Sequence, residues 1–408
     1  MNCRHCSTQV VHILIDLGSS PPSNSYLTQQ KLTSSEKWYP LRVLVCSNCF
    51  LVQTEDFTEA DELFDSEYAY FSSYSKSWLE HAESYTNKMT QQFQLNSESM
   101  VIEIASNDGY LLQFFKKNNI PCIGIEPTES TAKVAKGKGI EVIEKFFGTN
   151  LANEIISKGI KADLTTANNV LAHVPDINDF VNGFSILLKD DGVSTFEFPH
   201  LINLIEENQF DTIYHEHYSY LSLTAVKTIF EKNGLSIFDV EKLNTHGGSL
   251  RVYAQKNNIN SKQISKNVSE ILNEEKSKGI LSLDFYSNFK IKANKVKNNF
   301  LSFLIEKSNV GKTVVAYGAA AKGNTLINYA GIKKDLIQFV VDKNPSKQNK
   351  YLPGSRIPIV DEDILKKSKP DYVVILPWNL KSEIMDQLSY IRSWNGIFVV
   401  AIPELEEI

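Results

Sequence analysis

The sequence predicts an α/β protein, with two Rossmann-like units behind a cysteine-bearing N-terminal segment. Three observations carry this. Residues 101–126 and 313–342 each run from apolar strand through a small-residue turn and a helix to a second apolar strand, and each ends on an acid, Glu126 and Asp342. Four of the five cysteines form two CxxC pairs close to the N-terminus. At 408 residues the chain exceeds what one core ordinarily fills, so two or three domains are expected. The expected divisions are 1–75, 76–260 and 261–408.

Composition narrows the function. Hydrophobic residues at 42% and charged residues at 22% describe a folded, water-exposed protein. A net charge of -6 favours neither nucleic acid nor an anionic membrane as partner. No apolar run approaches the roughly 20 residues needed to cross a bilayer. The first residues, MNCRHCSTQVVHILIDLG, lack the pattern of a secretion signal, so a cytoplasmic protein is expected. The oligomeric state is open, with a monomer favoured.

The N-terminal segment carries Cys3-Arg4-His5-Cys6 and Cys46-Ser47-Asn48-Cys49. Each CxxC turn can present two thiolates to one ion, and two such turns complete a tetrahedral zinc shell. Redox chemistry or simple core thiols are the alternatives. A four-thiolate site is closed, so this zinc would be structural.

In the middle third, Val101–Ala105 reads as a buried strand, Ser106-Asn107-Asp108-Gly109 as a turn, Tyr110–Phe115 as a helix start and Pro121–Ile125 as a second strand. Gly109 would let a ligand approach the backbone, and Glu126 would accept hydrogen bonds from ribose hydroxyls. The loop is not GxGxxG, so a pyrophosphate cradle is not indicated. The arrangement resembles the class I methyltransferases that use S-adenosylmethionine. Expected cofactor contacts are Glu103, Ser106, Asn107, Asp108, Gly109, Glu126, Pro127, Asn168 and Asn169, the last two ending the strand 163–170. A generic strand end with no ligand is the alternative.

The last third opens with helical, Lys- and Asn-rich residues 262–308 as a bridge. Thr313–Tyr317 then reads as a strand, Gly318–Gly323 as a small-residue loop and Phe339–Val341 as the next strand. Lys322 and Asn324 add donors for a phosphate-bearing ligand such as a nucleotide-sugar, while GAAAKG is not a dinucleotide fingerprint and argues against NAD; a packing or dimerisation domain is the alternative.

Tyr214-His215-Glu216-His217-Tyr218-Ser219-Tyr220 is the most pointed motif. His215 and His217, two apart, could hold a metal from one strand face. The alternatives are an acid–base site and an incidental polar loop. With four cysteines already suited to zinc, the acid–base reading is preferred.

In order along the chain, CxxC…CxxC with PSNSY, EIASNDGYLL with GIEP, YHEHYSYLS, NTHGGSLR and YGAAAKGNTLINY together resemble the sugar C-methyltransferases acting on nucleotide-linked 4-keto-deoxyhexoses. The resemblance implies a structural zinc segment, a class I methyltransferase domain and a C-terminal Rossmann-like domain that helps hold the nucleotide-sugar. It places the catalytic base at His217, with Tyr214, Glu216, His173 and Tyr68 around it; His246, beside Gly247 and Gly248, is read from its own motif as a contact to phosphate or sugar. Carbon is a poor nucleophile, so such an enzyme must first make an enolate. A base near neutral pKa removes the proton beside the ketone, and a donor holds the oxygen charge. His173 is assigned that donor role, with His215 or a tyrosine as alternatives. Methylation of oxygen or nitrogen, and a non-catalytic binding protein, are the competing functions.

Overall fold

Three sheets organise the chain. The computed structural model describes residues 1–57, 71–259 and 261–408. The first sheet is antiparallel and four-stranded: β1 (His12–Ser20), β2 (Tyr39–Val45), β3 (Val52–Thr54) and β9 (Ser219–Tyr220), in that order. Its last strand comes from the YHEHYSY motif, some two hundred residues away, with Val52 opposite Tyr220 and Gln53 opposite Ser219.

The second sheet holds β4 (Val101–Ile104), β5 (Cys122–Ile125), β6 (Glu141–Ile143), β7 (Ala162–Asn168), β8 (Leu188–Pro199), β10 (Leu235–Leu243) and β11 (Ser249–Lys256). Their order is β10-β11-β8-β7-β4-β5-β6. Strands β4 to β8 are parallel, while β11 runs antiparallel to both β8 and β10. This is the class I methyltransferase arrangement. The strand order reverses between β4 and β7, which opens a crevice above their carboxyl ends. Asp176 and Ser222 begin the helices Ile177–Leu187 and Leu223–Lys232 by accepting hydrogen bonds from backbone amides of the first turn.

The third sheet is β12 (Val314–Tyr317), β13 (Val340–Val341), β14 (Ile359–Val360), β15 (Tyr372–Ile375), β16 (Ile397–Val400) and β17 (Glu406–Glu407), in the order β14-β13-β12-β15-β16-β17, with only β17 antiparallel. The runs VVAY, YVVI and IFVV are apolar throughout because helices cover both faces.

The predicted bridge divides its packing. Helix Lys266–Lys278 lies on β10 and sends Val268 and Ile271 into the core of the second sheet. Its buried Glu275 accepts from His200 Nε2 at 2.7 Å and from the Leu223 and Thr224 amides at 2.7 and 2.8 Å, so it caps a neighbouring helix. Helix Phe289–Asn309 buries Phe289, Ala293, Val296, Phe300, Phe303 and Leu304, a stripe at helical spacing, against the first and third sheets. The three units therefore share cores rather than hanging on linkers.

Candidate active site

The four cysteines converge. The sulfurs of Cys3, Cys6, Cys46 and Cys49 all lie within 4.8 Å of one another, with Cys3–Cys49 and Cys6–Cys46 at 3.5 Å. A tetrahedron of Zn–S bonds has edges of about 3.8 Å, so the spacing fits zinc. His5 stands apart, its Nδ1 2.8 Å from Asn178 Oδ1. The Gln53 amide approaches Cys3 Sγ at 3.3 Å, linking the knuckles to β3.

At the crevice, the loop after β4 twists sharply, with φ of 57° at Ala105, 49° at Asn107 and 74° at Gly109. Two of these are not glycine, a strain of the kind kept at ligand loops. The loop is held by Glu126, whose carboxylate accepts from the Asn107 and Thr128 amides, each at 2.9 Å. Burial raises the Glu126 pKa, while these amides act against it. The Thr128 and Thr131 side chains also hydrogen-bond this carboxylate and act in the same direction. Asn107 Oδ1 accepts from the Ser72 amide at 2.9 Å, and Pro127 sits half-buried beside it. Above the crevice, Trp78 stacks on His81 at 4.8 Å and on Tyr110 at 5.9 Å, and meets His246 edge-on at 5.1 Å. Glu197, at the end of β8, accepts from His81 Nε2 at 2.8 Å and Arg251 Nε at 2.6 Å.

The YHEHYSY motif lies at one end of the crevice. His217 Nδ1 donates to the Thr212 carbonyl at 2.8 Å, which leaves Nε2 with a lone pair. Burial, with the charges of His173, His246 and Lys322, lowers the His217 pKa well below the usual imidazole range. The His173 ring is 4.6 Å away, and Tyr214 packs over the imidazole at 4.0 Å. His173 Nδ1 donates to the Glu216 carbonyl at 2.8 Å, and burial pushes its pKa down to about 4. The main chain of His217 is tied to β3, where Thr54 Oγ1 donates to the His217 carbonyl at 2.9 Å.

The C-terminal unit closes the other side. Trp378 Nε1 donates to Asp211 Oδ2 at 2.8 Å, and Thr325 Oγ1 donates to the Ile213 carbonyl at 2.7 Å. Both contacts brace the turn that carries Thr212. Lys322 Nζ lies 2.7 Å from Asn379 Oδ1 and 4.5 Å from the centre of the Trp378 ring. A Cβ at Gly247 would lie 2.5 Å from the same indole, so the NTHGGS loop packs flush against it.

Family models match the whole organisation. A zinc binding domain matches residues 3–64, a methyltransferase domain residues 78–240 and a C-methyltransferase C-terminal domain residues 244–403. The chain is 34% identical over 402 residues to C-methyltransferase NovU of Streptomyces niveus, covering 98% of this chain and 95% of that protein. The chain belongs to the C-methyltransferase family.

Among solved structures it is similar to magnesium protoporphyrin IX methyltransferase of Synechocystis PCC 6803 with bound SAM, at 15% identity over 44% of this chain and 79% of that one, TM-score 0.34. It is also similar to an S-adenosylmethionine-dependent methyltransferase of Clostridium acetobutylicum ATCC 824, at 12% identity over 44% of this chain and 92% of that one, TM-score 0.36. The family models and the relative, together with the strand order of the second sheet, make this C-methyltransferase an enzyme that uses S-adenosylmethionine and carries a zinc-binding module. The crevice fits the cofactor on its own chemistry. Ser106 Oγ, Asp108 Oδ1, Asn168 Nδ2 and Asn169 Oδ1 are buried polar atoms without a partner, and buried polar groups are ordinarily satisfied. No described helix is long and apolar enough to cross a membrane.

Several expected contacts of the C-methyltransferase fall differently. Asn324 is fully buried and its amide donates to the Ser23 carbonyl at 2.6 Å, so it ties the N-terminal loop to helix Ala321–Tyr329. Glu103 is enclosed within β4, where burial and the charge of Asp108 push its carboxyl well up. It braces Tyr110 and the Leu112 backbone from below. Gly109 is required by its φ and by Ile140 and Ala135, which fill the space of a Cβ. The Glu216 carboxylate accepts from Asn24 Nδ2 at 3.1 Å, so it does not orient the His217 ring, a job that falls to Thr212. His215 Nε2 donates to the Tyr39 and Pro40 carbonyls at 3.3 and 3.2 Å, away from His217. Tyr68 lies outside the described residues. His246 is placed at the crevice with Nε2 unpartnered and a left-handed φ of 54°.

Sequence reading missed Asp211, Thr212, Thr325 and Trp378. Only Trp378 carried a signal, its place just past the carboxyl end of a parallel strand.

Two outcomes follow for the crevice. Glu126→Gln is expected to raise the Kd for S-adenosylmethionine about tenfold by calorimetry, as a charge-assisted hydrogen bond contributes roughly 1.5–3 kcal/mol. An unchanged Kd would remove Glu126 from the nucleoside site. Gly109→Ala is expected to lower stability by about 1–3 kcal/mol in urea titration, because the new Cβ meets Ile140 at a φ suited to glycine.

Proposed function

We propose that the enzyme methylates C3 of a nucleotide-linked 4-keto-6-deoxyhexose through an enolate, as a step toward a branched deoxysugar. The observation that carries this reading is the state of His217. Its Nδ1–H is committed to a backbone carbonyl and its ring is held neutral, so Nε2 is a lone pair ready to take a proton. Oxygen or nitrogen acceptors bring their own lone pair, but a carbon acceptor needs such a base.

In this reading His217 Nε2 removes the C3 proton, and the electron pair moves through C3–C4 onto the ketone oxygen. Tyr214 holds the imidazole from one face, and His173 fills the other side as a neutral ring. The loop 105–109, Glu126, Asn168 and Asn169 would hold S-adenosylmethionine, which supplies an electrophilic methyl group when bound. His246 and Lys322 stand where the C-terminal unit meets the crevice and would contact the nucleotide-sugar. Such a substrate, and thiols kept for zinc, suit a reducing cytoplasm.

The test is incubation with thymidine- and guanosine-diphospho-4-keto-6-deoxyhexoses in D2O, followed by mass spectrometry and NMR. Deuterium at C3 and a carbon-bound methyl group are expected. A methyl group on oxygen or nitrogen without C3 exchange would replace this reading by heteroatom methylation.

A further inference from the structure

The donor for the enolate oxygen was assigned to His173, and the geometry argues against it. The Nδ1–H of His173 is spent on the Glu216 carbonyl, and the ring is neutral, so its Nε2 offers only a lone pair. His217 is committed in the same way to Thr212. Neutral imidazoles whose N–H groups are already spent cannot stabilise negative charge at their other nitrogen. His215 donates to backbone carbonyls elsewhere. A donor has to come from another element.

Lys322 meets the requirement. It opens the helix Ala321–Tyr329 and is half-buried. Its ammonium makes one hydrogen bond, to Asn379, and lies over the Trp378 ring. No carboxylate of the described residues pairs with it. Asp211 acts on it through charge alone, with one carboxylate oxygen on the Trp378 indole and no ion-pair contact to the ammonium. An ammonium has three N–H donors, so two remain for a ligand. A recessed cation whose nearest acid does not reach contact distance is well suited to a ligand that brings negative charge to it.

The cation and the base also share one frame. Trp378 lies under Lys322 and at the same time bonds Asp211, the residue before Thr212, whose carbonyl orients His217. Thr325, one turn along the helix from Lys322, bonds the Ile213 carbonyl. Any movement of the helix carries Lys322 and the turn beneath His217 together. Catalysis by a preorganised donor needs that rigidity. Burial lowers the Lys322 pKa, which makes the ammonium a stronger hydrogen-bond donor.

We propose that Lys322 donates the hydrogen bond that holds the C4 oxygen charge as His217 takes the C3 proton. This rests on the enolate reading above. In the step, the C3–H bond breaks and its proton goes to His217 Nε2. The pair forms the C3–C4 double bond, and the carbonyl pair moves onto oxygen beside the ammonium.

The competing duty for a cation here is the substrate's diphosphate, and one set of measurements separates them. Lys322→Met and Lys322→Ala are compared with the native enzyme for C3 exchange in D2O at saturating nucleotide-sugar, without S-adenosylmethionine. Binding of thymidine diphosphate and guanosine diphosphate is measured alongside by calorimetry, with S-adenosylmethionine binding as the check of fold. Exchange is expected to fall about 100-fold or more, the loss typical of one oxyanion donor. Nucleoside diphosphate affinity should stay within about threefold, and ethylammonium should restore part of the exchange in Lys322→Ala but not in Lys322→Met, whose side chain fills the space. Exchange within about threefold of native, or a loss confined to diphosphate affinity, overturns the proposal while leaving the enolate reading in place. A native enzyme that methylates carbon without C3 exchange overturns both.

Discussion

Replacing His217 by alanine is expected to abolish C3 exchange and to lower kcat/KM for methyl transfer by about 1,000-fold, within the range for loss of a general base. S-adenosylmethionine should still bind, because His217 lies outside the loop 105–109 and Glu126. The pH profile gives a second readout. A group that acts as a base works above its pKa and fails as pH falls through it. The His217 pKa is held well below 6.5 by burial and by His173, His246 and Lys322. The acid limb of kcat/KM should therefore lie below the unperturbed imidazole value, leaving activity level from pH 6.5 to 7.5 in the native enzyme. Lys322→Met removes one neighbouring positive charge and should move that limb upward. An alanine variant that exchanges C3 at the native rate would eliminate His217 as the base.

Loss of the metal is expected to have the larger effect on the whole chain. Structural zinc sites bind with apparent energies of about 10–16 kcal/mol, comparable to the 5–15 kcal/mol of net stability of a domain. One zinc per chain should be found by elemental analysis, and Cys46→Ser, at a fully buried ligand position, should lower both zinc content and Tm. Activity should fall with them for a traceable reason. The second knuckle leads directly into β3, whose Val52 and Gln53 pair with Tyr220 and Ser219 and whose Thr54 holds the His217 carbonyl. Freeing that strand releases the base. A zinc-free chain that keeps its Tm and its methyl transfer would make the four-cysteine cluster dispensable.

Much of this was legible before folding because it is written in short windows. The alternation of apolar strand, turn and helix at 101–126 and 313–342 needs no distant partner to be read, and neither does a CxxC pair. Glu126 was identifiable because an acid at the end of a parallel strand stands at the crevice wherever that fold occurs. His217 was singled out by residue type and position, but its state was not. Whether an imidazole is base or donor depends on which nitrogen is already bonded. Here that choice is made by a backbone carbonyl, which has no sequence signature.

Contacts made across the chain have no such local signal. Asn324 looked like a free donor beside a glycine, yet the N-terminal loop reaches across and takes its amide. Glu216 lies next to His217 in sequence, but neighbouring side chains point apart, and its carboxylate meets Asn24. The sequence by itself determined the three units, the zinc ligands, the cofactor crevice and the histidine-bearing motif. Only the tertiary structure decided that β3 and Trp378, from opposite ends of the chain, grip the loop of the base, and that Lys322 lies over the same Trp378 ring. Those relations are hydrogen bonds between residues as far apart as Asp211 and Trp378, 167 positions in sequence, and they exist only once the shared cores have docked the units together.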